Sequence, residues 1–240
     1  MDSNKYFEDW QKLIFAASKL QEIIPNAILV GGSAASVHLQ HRFSFDADHT
    51  LQGLEENYEN ILNFLEDNKN WQTARITPPK IILGNFYGVE TGIRQLRREK
   101  SLETEKKQIG DRTVTVPTLP EMIRIKAWMI VSRNALRDYV DFAVLCYYHG
   151  LDSINEVLYD FDDYYLDLQR NKEVSPLLQL IKQLSEPKPH DLQKHIDKAD
   201  KLKYKGIQPP FDSWGKIEQI CKDVSVYLML ALDGSDNITP

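Results

Sequence analysis

Residues 29–50 read LVGGSAASVHLQHRFSFDADHT, and this stretch decides how the first half of the chain folds. A short apolar run ends at Val30 and is followed by Gly31 and Gly32, which favour a tight turn. The residues after the turn are mostly small, as in a helix that packs closely on a sheet. The pattern therefore predicts a strand, a tight turn and a helix in that order.

The end of the same stretch predicts a strand over residues 42–50. Apolar and polar side chains alternate there, so that Phe43, Phe45 and Ala47 face one side and Asp46 and Asp48 face the other. Two carboxylates two residues apart on one face of a strand can hold or bridge divalent cations, which prefer hard oxygen ligands. The two aspartates are therefore candidate metal ligands.

The turn formed by Gly31, Gly32 and Ser33 is suited to an anionic group. Glycine lets the backbone come close to a phosphate, and the first amides of the following helix point at it with the positive end of the helix dipole. A phosphate-binding turn beside metal-binding carboxylates is what phosphoryl or nucleotidyl transfer requires, because catalysis there depends on positioning and on neutralising charge.

The composition indicates a soluble globular protein. The 240 residues are 42% hydrophobic and 27% charged, which excludes disordered, collagen-like and low-complexity classes and allows one large domain or two modest ones. A formal charge of -6 gives no overall attraction for nucleic acid, so such a contact would need a local basic patch. No stretch predicts a membrane span or a secretory signal, and we expect a cytoplasmic protein that makes no membrane contact. Cys146 and Cys221 are expected to be buried thiols.

The periodicity divides the chain near Pro117. Before it, strand patterns at residues 71–76, 80–87, 89–96 and 112–116 accompany helical patterns at residues 4–24 and 55–67. After it, helical periods dominate, among them residues 119–131, 135–148, 153–171 and 190–202. The predicted fold class is α/β (α+β), with a mixed sheet and helices in residues 1–117 and a helical domain in residues 118–240.

The motifs of this sequence resemble those of the DNA polymerase β-type nucleotidyltransferase superfamily. Its hallmark, Gly-Ser at a helix start followed by Asp-x-Asp on the next strand, is matched by Gly32-Ser33 and by Asp46-Ala47-Asp48. Within that superfamily the chain looks like the AbiEii-type toxin branch, whose helical domain supplies a lysine and an Arg-Asp-x-x-Asp motif to the cleft. The matching residues are Lys126, and Arg137-Asp138 followed by Asp141.

The resemblance implies an enzyme that uses Mg²⁺ and a nucleoside triphosphate to modify a macromolecule. The acceptor class that it implies is tRNA or another RNA. It also implies a toxin-like component of a toxin–antitoxin or phage-defence pair, with an antitoxin protein as partner. The helical domain would then complete the cleft of the nucleotidyltransferase domain.

Roles follow for the matched residues and their neighbours. We expect Asp46 and Asp48 to bind metal, and Glu90, in the predicted strand at residues 89–96, is the candidate third carboxylate. The candidate nucleotide-binding residues are Gly31, Gly32, Ser33, Arg42, Lys126 and Arg133. Lys126 and Asp141 join the two aspartates as candidate catalytic residues, and the choice between Asp138 and Asp141 stays open.

Parts of the sequence also resemble other kinds of site. Residues 31–35 approximate the nucleophile elbow of an α/β-hydrolase, but the fifth position is Ala35 rather than glycine, and the helical second half leaves too few strands. His38, His41 and His49 lack the further ligand that a zinc site needs. Two alternatives stay open: a non-catalytic, partner-binding protein of the same fold, and a transferase whose acceptor is a small molecule such as an antibiotic.

Overall fold

A computed structural model describes residues 2–235. The chain divides into two compact units, Met1–Thr118 and Leu119–Pro240, one residue beyond Pro117. The first unit combines sheets and helices, and the described part of the second unit is helical, with two isolated β-bridges. The predicted fold class, a mixed α/β part followed by a helical part, is thus confirmed.

The first unit begins with a long helix, alternates two short strands with two helices, and then continues with five consecutive strands. Its helices are α1 (Asp2–Ile23), α2 (Gly31–Leu39) and α3 (Leu54–Glu66). Its strands are β1 (Ile28–Leu29), β2 (Ala47–Leu51), β3 (Trp71–Thr77), β4 (Ile81–Phe86), β5 (Val89–Gln95), β6 (Thr104–Ile109) and β7 (Arg112–Pro117).

Five of these strands form one mixed sheet in the order β1-β2-β5-β4-β3. Strand β2 is parallel to β5 and antiparallel to β1, with Asp48 opposite Gly92 and Thr50 opposite Arg94. One face of the sheet carries Ile82, Phe86 and Ile93, which belong to a buried cluster together with side chains of α1 and α3. The other face carries Asp48, Gly92 and Arg94, because side chains alternate along each strand.

Strands β6 and β7 form a separate antiparallel pair. The sequence patterns predict β7 but not β6, whose residues TEKKQI are polar except for the last. The alternation along β6 is between exposed and half-buried positions, so it leaves no hydrophobic pattern. Only its pairing with β7 defines this strand.

The second unit contains seven α-helices within the described part of the chain. They are α4 (Leu119–Arg133), α5 (Leu136–His149), α6 (Ile154–Leu158), α7 (Phe161–Tyr165), α8 (Pro176–Ser185), α9 (Leu192–His195) and α10 (Trp214–Ser235). Cys146 on α5 and Cys221 on α10 are buried free thiols, as expected, and burial raises the pKa of both.

Three predicted elements differ from the structure. The strand predicted over residues 42–50 begins only at Ala47, because the ladder to β5 starts with the pair Ala47 and Thr91. The helix predicted over residues 153–171 is broken into α6, α7 and two 3-10 turns. The helix predicted over residues 190–202 ends at His195, where Asp197 instead accepts the backbone amides of Ala199 and Lys201.

None of the helices in residues 2–235 has the length and apolarity needed to cross a membrane.

His49 lies in β2, and its side chain is fully buried. Its Nδ1 is 2.9 Å from the carbonyl oxygen of Ala47, and burial lowers the pKa of the imidazole to about 4. The side chain is on the same face of β2 as the buried Ala47 and Leu51, opposite to Asp48. The residue is therefore a neutral core histidine.

This burial makes the first unit sensitive to acid. Below about pH 6.5 the unfolded chain binds a proton at His49 that the folded chain does not, so stability falls as the pH drops toward about 4. We expect this group to remove up to about 3 kcal/mol over that range. The measurement is the free energy of urea unfolding against pH in EDTA, for the wild type and His49→Gln. The variant should lose this part of the slope, while the exposed His190→Gln should retain it; equal slopes in all three proteins would contradict the account.

Candidate functional site

The glycine turn joins β1 to α2 and is held against β2. The amide of Val30 donates to the carbonyl oxygen of Asp48 at 2.8 Å. Gly31 then adopts a positive φ of 74°, which favours glycine, and α2 begins there. Val30, the N-cap residue, provides no side-chain cap, so no side chain at that position takes up the first amides of α2. The turn therefore presents the N-terminus of α2 beside Asp48.

The Asp48 carboxylate lies between this turn and β5. A Cβ atom added at Gly31 would be 3.9 Å from Asp48 Oδ2, and one added at Gly92 would be 3.0 Å from Asp48 Oδ1. One carboxylate oxygen thus faces the turn and the other faces β5. The Asp48 side chain is 40% exposed, so a cation can reach it.

Asp46 is held at the same end of β2 by Ser33. The Ser33 hydroxyl is buried and donates to the backbone carbonyl of Asp46 at 2.6 Å. This bond fixes the distance between the start of α2 and the first aspartate, and it leaves the backbone amide of Ser33, rather than its hydroxyl, for a phosphate. The Asp46 residue itself is exposed.

Arg42 lies alongside the second glycine of the turn. A Cβ atom at Gly32 would be 2.6 Å from Arg42 Nη2 and 3.0 Å from Ser44 Oγ, so only glycine leaves room for the guanidinium. Arg42 is buried. Its charge therefore lies next to the N-terminus of α2.

Two charged residues of β5 share the face of the sheet that carries Asp48. Glu90 and Arg94 flank Gly92 at a spacing of two residues, and Arg94 Nε is 3.7 Å from Asp48 Oδ1. Glu90 is exposed. It directly precedes Thr91, which pairs with Ala47, and Asp46 directly precedes Ala47. Sequence reasoning missed the pairing of Arg94 with Asp48, because it depends on the register of β2 and β5.

The chemistry of these residues fits a magnesium ion. No group of three His, Cys, Asp or Glu side chains in residues 2–235 is arranged to hold a metal, so the assignment of Glu90 as a third ligand stays a prediction. Mg²⁺ is commonly bound through one or two carboxylates, with water and substrate phosphates completing the shell. Asp46 and Asp48, beside a turn suited to phosphate, provide that donor set.

The candidate residues of the second unit form an ionic cluster of their own, in which Lys126, Asp138 and Asp141 are buried and Arg133 is exposed. Lys126 Nζ is 2.8 Å from Asp141 Oδ2 and 3.3 Å from Asp138 Oδ1, and its side chain is only 2% exposed. Arg133 binds Asp138 with two donors, Nε at 2.6 Å and Nη2 at 2.7 Å. In the structure Lys126 and Arg133 together thus balance the charges of two buried aspartates, and the predicted contact of Lys126 with a triphosphate stays a prediction. The sequence motif groups Lys126, Asp138 and Asp141, but it does not predict that their side chains are buried.

Comparison with curated proteins gives matches to short parts of long proteins. No protein-family model matches the chain. Over 135 residues, 55% of the chain, it is 30% identical to the heme uptake protein MmpL11 of Mycobacterium tuberculosis. Over 137 residues, 56% of the chain, it is 30% identical to the mycolic acid-containing lipids exporter MmpL11 of Mycolicibacterium smegmatis. In both cases the chain spans 13% of the length of the relative.

Three solved structures resemble the chain. The antibiotic-resistance factor ANT(2'')-Ia is 14% identical and covers 70% of this chain and 96% of its own, with a TM-score of 0.47. A Helicobacter pylori protein provisionally assigned as a nucleotidyltransferase is 12% identical over 100% of this chain and 99% of its own, with a TM-score of 0.46. JHP933 from Helicobacter pylori is 16% identical over 98% and 96%, with a TM-score of 0.47. At this level of similarity none of them indicates the activity of this chain.

The space above Gly92 offers a test of the site geometry. In Gly92→Ala the new methyl group would lie 2.8 Å from Leu83 Cδ2 and 3.0 Å from Asp48 Oδ1, so both side chains must shift. We expect a loss of about 1–3 kcal/mol in the free energy of unfolding and weaker Mn²⁺ binding. In a Leu83→Ala background the added Gly92→Ala should cost less stability, because one of the two close contacts is gone, but it should still weaken Mn²⁺ binding. Full recovery of both properties in the double variant would contradict this geometry.

The cluster in the second unit offers a separate test. Lys126→Met leaves Asp138 and Asp141 buried with less positive charge, and breaking a buried ion pair in this way costs about 3–5 kcal/mol. Urea denaturation measures the change. The control is Lys172→Met, which breaks an exposed pair with Asp167 and should cost less than about 1 kcal/mol. Similar values for the two variants would contradict the assigned burial.

Proposed function

We propose that the protein is a Mg²⁺-dependent nucleotidyltransferase. The observation that carries the proposal is the position of the Asp48 carboxylate, with one oxygen toward the Gly31 turn and the other toward β5. The start of α2 attracts anions, so it can attract both the Asp48 carboxylate and a phosphate, but the carboxylate and the phosphate repel each other. A cation bound between the carboxylate and the phosphate removes this repulsion, so that both groups can belong to one site.

Each residue of the first unit has a distinct part in this proposal. Asp46 and Asp48 would hold the divalent cation, which when bound neutralises charge on the phosphates and favours attack by the acceptor oxygen. The backbone amides of Gly31 and Gly32 would donate hydrogen bonds to phosphate oxygens, and the α2 dipole adds to the attraction for the phosphate. Arg42 places a further positive charge beside the turn, and Ser33 sets the position of Asp46.

The acceptor that we propose is an RNA, with tRNA as the first candidate, and the partner is an antitoxin protein. Support for both comes from the motif resemblance, in which Lys126 and the Arg137-Asp138 and Asp141 motif accompany the Asp-x-Asp strand. The corresponding role for Lys126 is contact with the triphosphate, with Arg133 as a second nucleotide-binding residue. For Asp141 it is orientation of a catalytic group.

Label transfer from nucleoside triphosphates tests the activity. Each α-labelled triphosphate is incubated with Mg²⁺, total tRNA and the wild type, Asp46→Asn or Asp48→Asn. With the wild-type protein we expect label in the RNA. In both variants the rate of label transfer should fall at least about 100-fold, since even supporting residues of metal sites change activity 10- to 100-fold. The matched control is Asp111→Asn, an aspartate of the same unit that is 83% exposed and should retain full transfer.

The outcomes separate the open alternatives. Undiminished transfer in Asp48→Asn would contradict the assigned metal site. Absence of transfer with RNA, protein and aminoglycoside acceptors alike would favour a non-catalytic, partner-binding protein. Transfer to an aminoglycoside but not to RNA would support the proposed nucleotidyl transfer and contradict the proposed RNA acceptor.

A further inference from the structure

Arg94 is a charged residue of the site that the assignments above leave without a function. It lies on β5, two residues after Gly92, and its Nε is 3.7 Å from Asp48 Oδ1. Its side chain is 46% exposed and that of Asp48 is 40% exposed. Exposed ion pairs of this kind contribute at most about 1 kcal/mol to stability. Stability is therefore a weak reason for an arginine at this position.

Two other arginines near the sheet, Arg98 and Arg42, are engaged differently. Arg98, in the same basic run of sequence, is buried, and its guanidinium donates to the carbonyl oxygens of Lys100 and Ser101. Arg42 is buried beside Gly32. Arg94 differs from both because it is half-exposed and pairs with the Asp48 carboxylate itself. Its guanidinium can therefore turn from Asp48 to a ligand without uncovering a buried carbonyl group.

The positions of the two carboxylate oxygens define what Arg94 can do. Oδ2 faces the Gly31 turn, and Oδ1 faces β5 and Arg94. A cation on the Asp48 carboxylate would weaken the attraction between Asp48 and Arg94, because the carboxylate charge is then shared. A guanidinium released in this way is suited to a phosphate group, since its planar set of donors matches two phosphate oxygens.

We propose that Arg94 is a phosphate-binding residue that competes with the divalent cation for Asp48. This inference rests on the proposed function and deepens it. Arg94 pairs with Asp48 until a cation binds that carboxylate, and it then binds a phosphate of the nucleoside triphosphate. Cation and phosphate binding are thereby coupled through one residue, because the group displaced by the first ligand contacts the second.

The test uses two probes that need no turnover and no knowledge of the base: Mn²⁺ alone, and inorganic tripolyphosphate in saturating Mn²⁺. Isothermal titration calorimetry measures both affinities for the wild type, Arg94→Gln and Arg94→Lys. In Arg94→Gln we expect Mn²⁺ to bind about 2- to 5-fold more tightly, because a competing charge is gone. Tripolyphosphate should bind about 10-fold more weakly or worse, because a charged donor is lost. Arg94→Lys should recover part of the phosphate affinity.

These opposite shifts distinguish the proposal from a structural role, since a distorted site would weaken both ligands. The control is Arg170→Gln, which removes an exposed arginine from the second unit and should change neither affinity. Weaker binding of both probes, or no change in either, for Arg94→Gln would overturn the proposal for Arg94. If Asp48→Asn left Mn²⁺ binding unchanged, the proposed function and this inference would both fail. Loss of Mn²⁺ binding in Asp48→Asn with no effect of Arg94→Gln would overturn only the inference.

Discussion

The site in the first unit depends on the hydrogen bond from the amide of Val30 to the carbonyl of Asp48. This 2.8 Å bond brings the end of β1 against β2 just before the chain turns into α2. It places the N-terminus of α2 next to the side chain of Asp48, because Val30 directly precedes α2 and Asp48 is its hydrogen-bond partner. The buried Ser33 hydroxyl, three residues after Val30, makes a similar contact by donating to the carbonyl of Asp46. Two backbone carbonyls thus fix the two aspartates relative to one helix start.

The rest of the sheet supports this arrangement by separating its two faces. Residues such as Ile82, Phe86 and Ile93 pack into a core on one face, which fixes the register of β2, β4 and β5. A shift of one residue in β2 would bury Asp48 and expose His49, and both changes are unfavourable. The hydrophobic face therefore determines which side chains the opposite face presents. The polar face needs no contacts of its own to hold Asp48 beside Gly92.

The local parts of this site were predictable from sequence, and the non-local parts were not. The glycine turn and the strand that carries Asp48 are short-range patterns, and the structure contains both. The predicted alternation did not extend to Asp46, because β2 begins at Ala47. The pairing of Arg94 with Asp48 depends on the parallel register of β2 and β5, which no local pattern encodes. The burial of Lys126 depends on the packing of α4 and α5, and an apolar helix with one lysine is equally compatible with a surface residue. Strand β6 has no apolar period and was missed for that reason.

The central claim is that Asp46 and Asp48 hold a divalent cation next to the Gly31 turn. Its most direct test is a crystal structure of the protein soaked with Mn²⁺ and a non-hydrolysable nucleoside triphosphate, with diffraction data collected at the manganese absorption edge. We expect an anomalous peak at coordination distance from carboxylate oxygens of both aspartates, with a phosphate group at the amides of Gly31 and Gly32. An anomalous peak elsewhere, or a triphosphate bound away from the turn, would contradict the account.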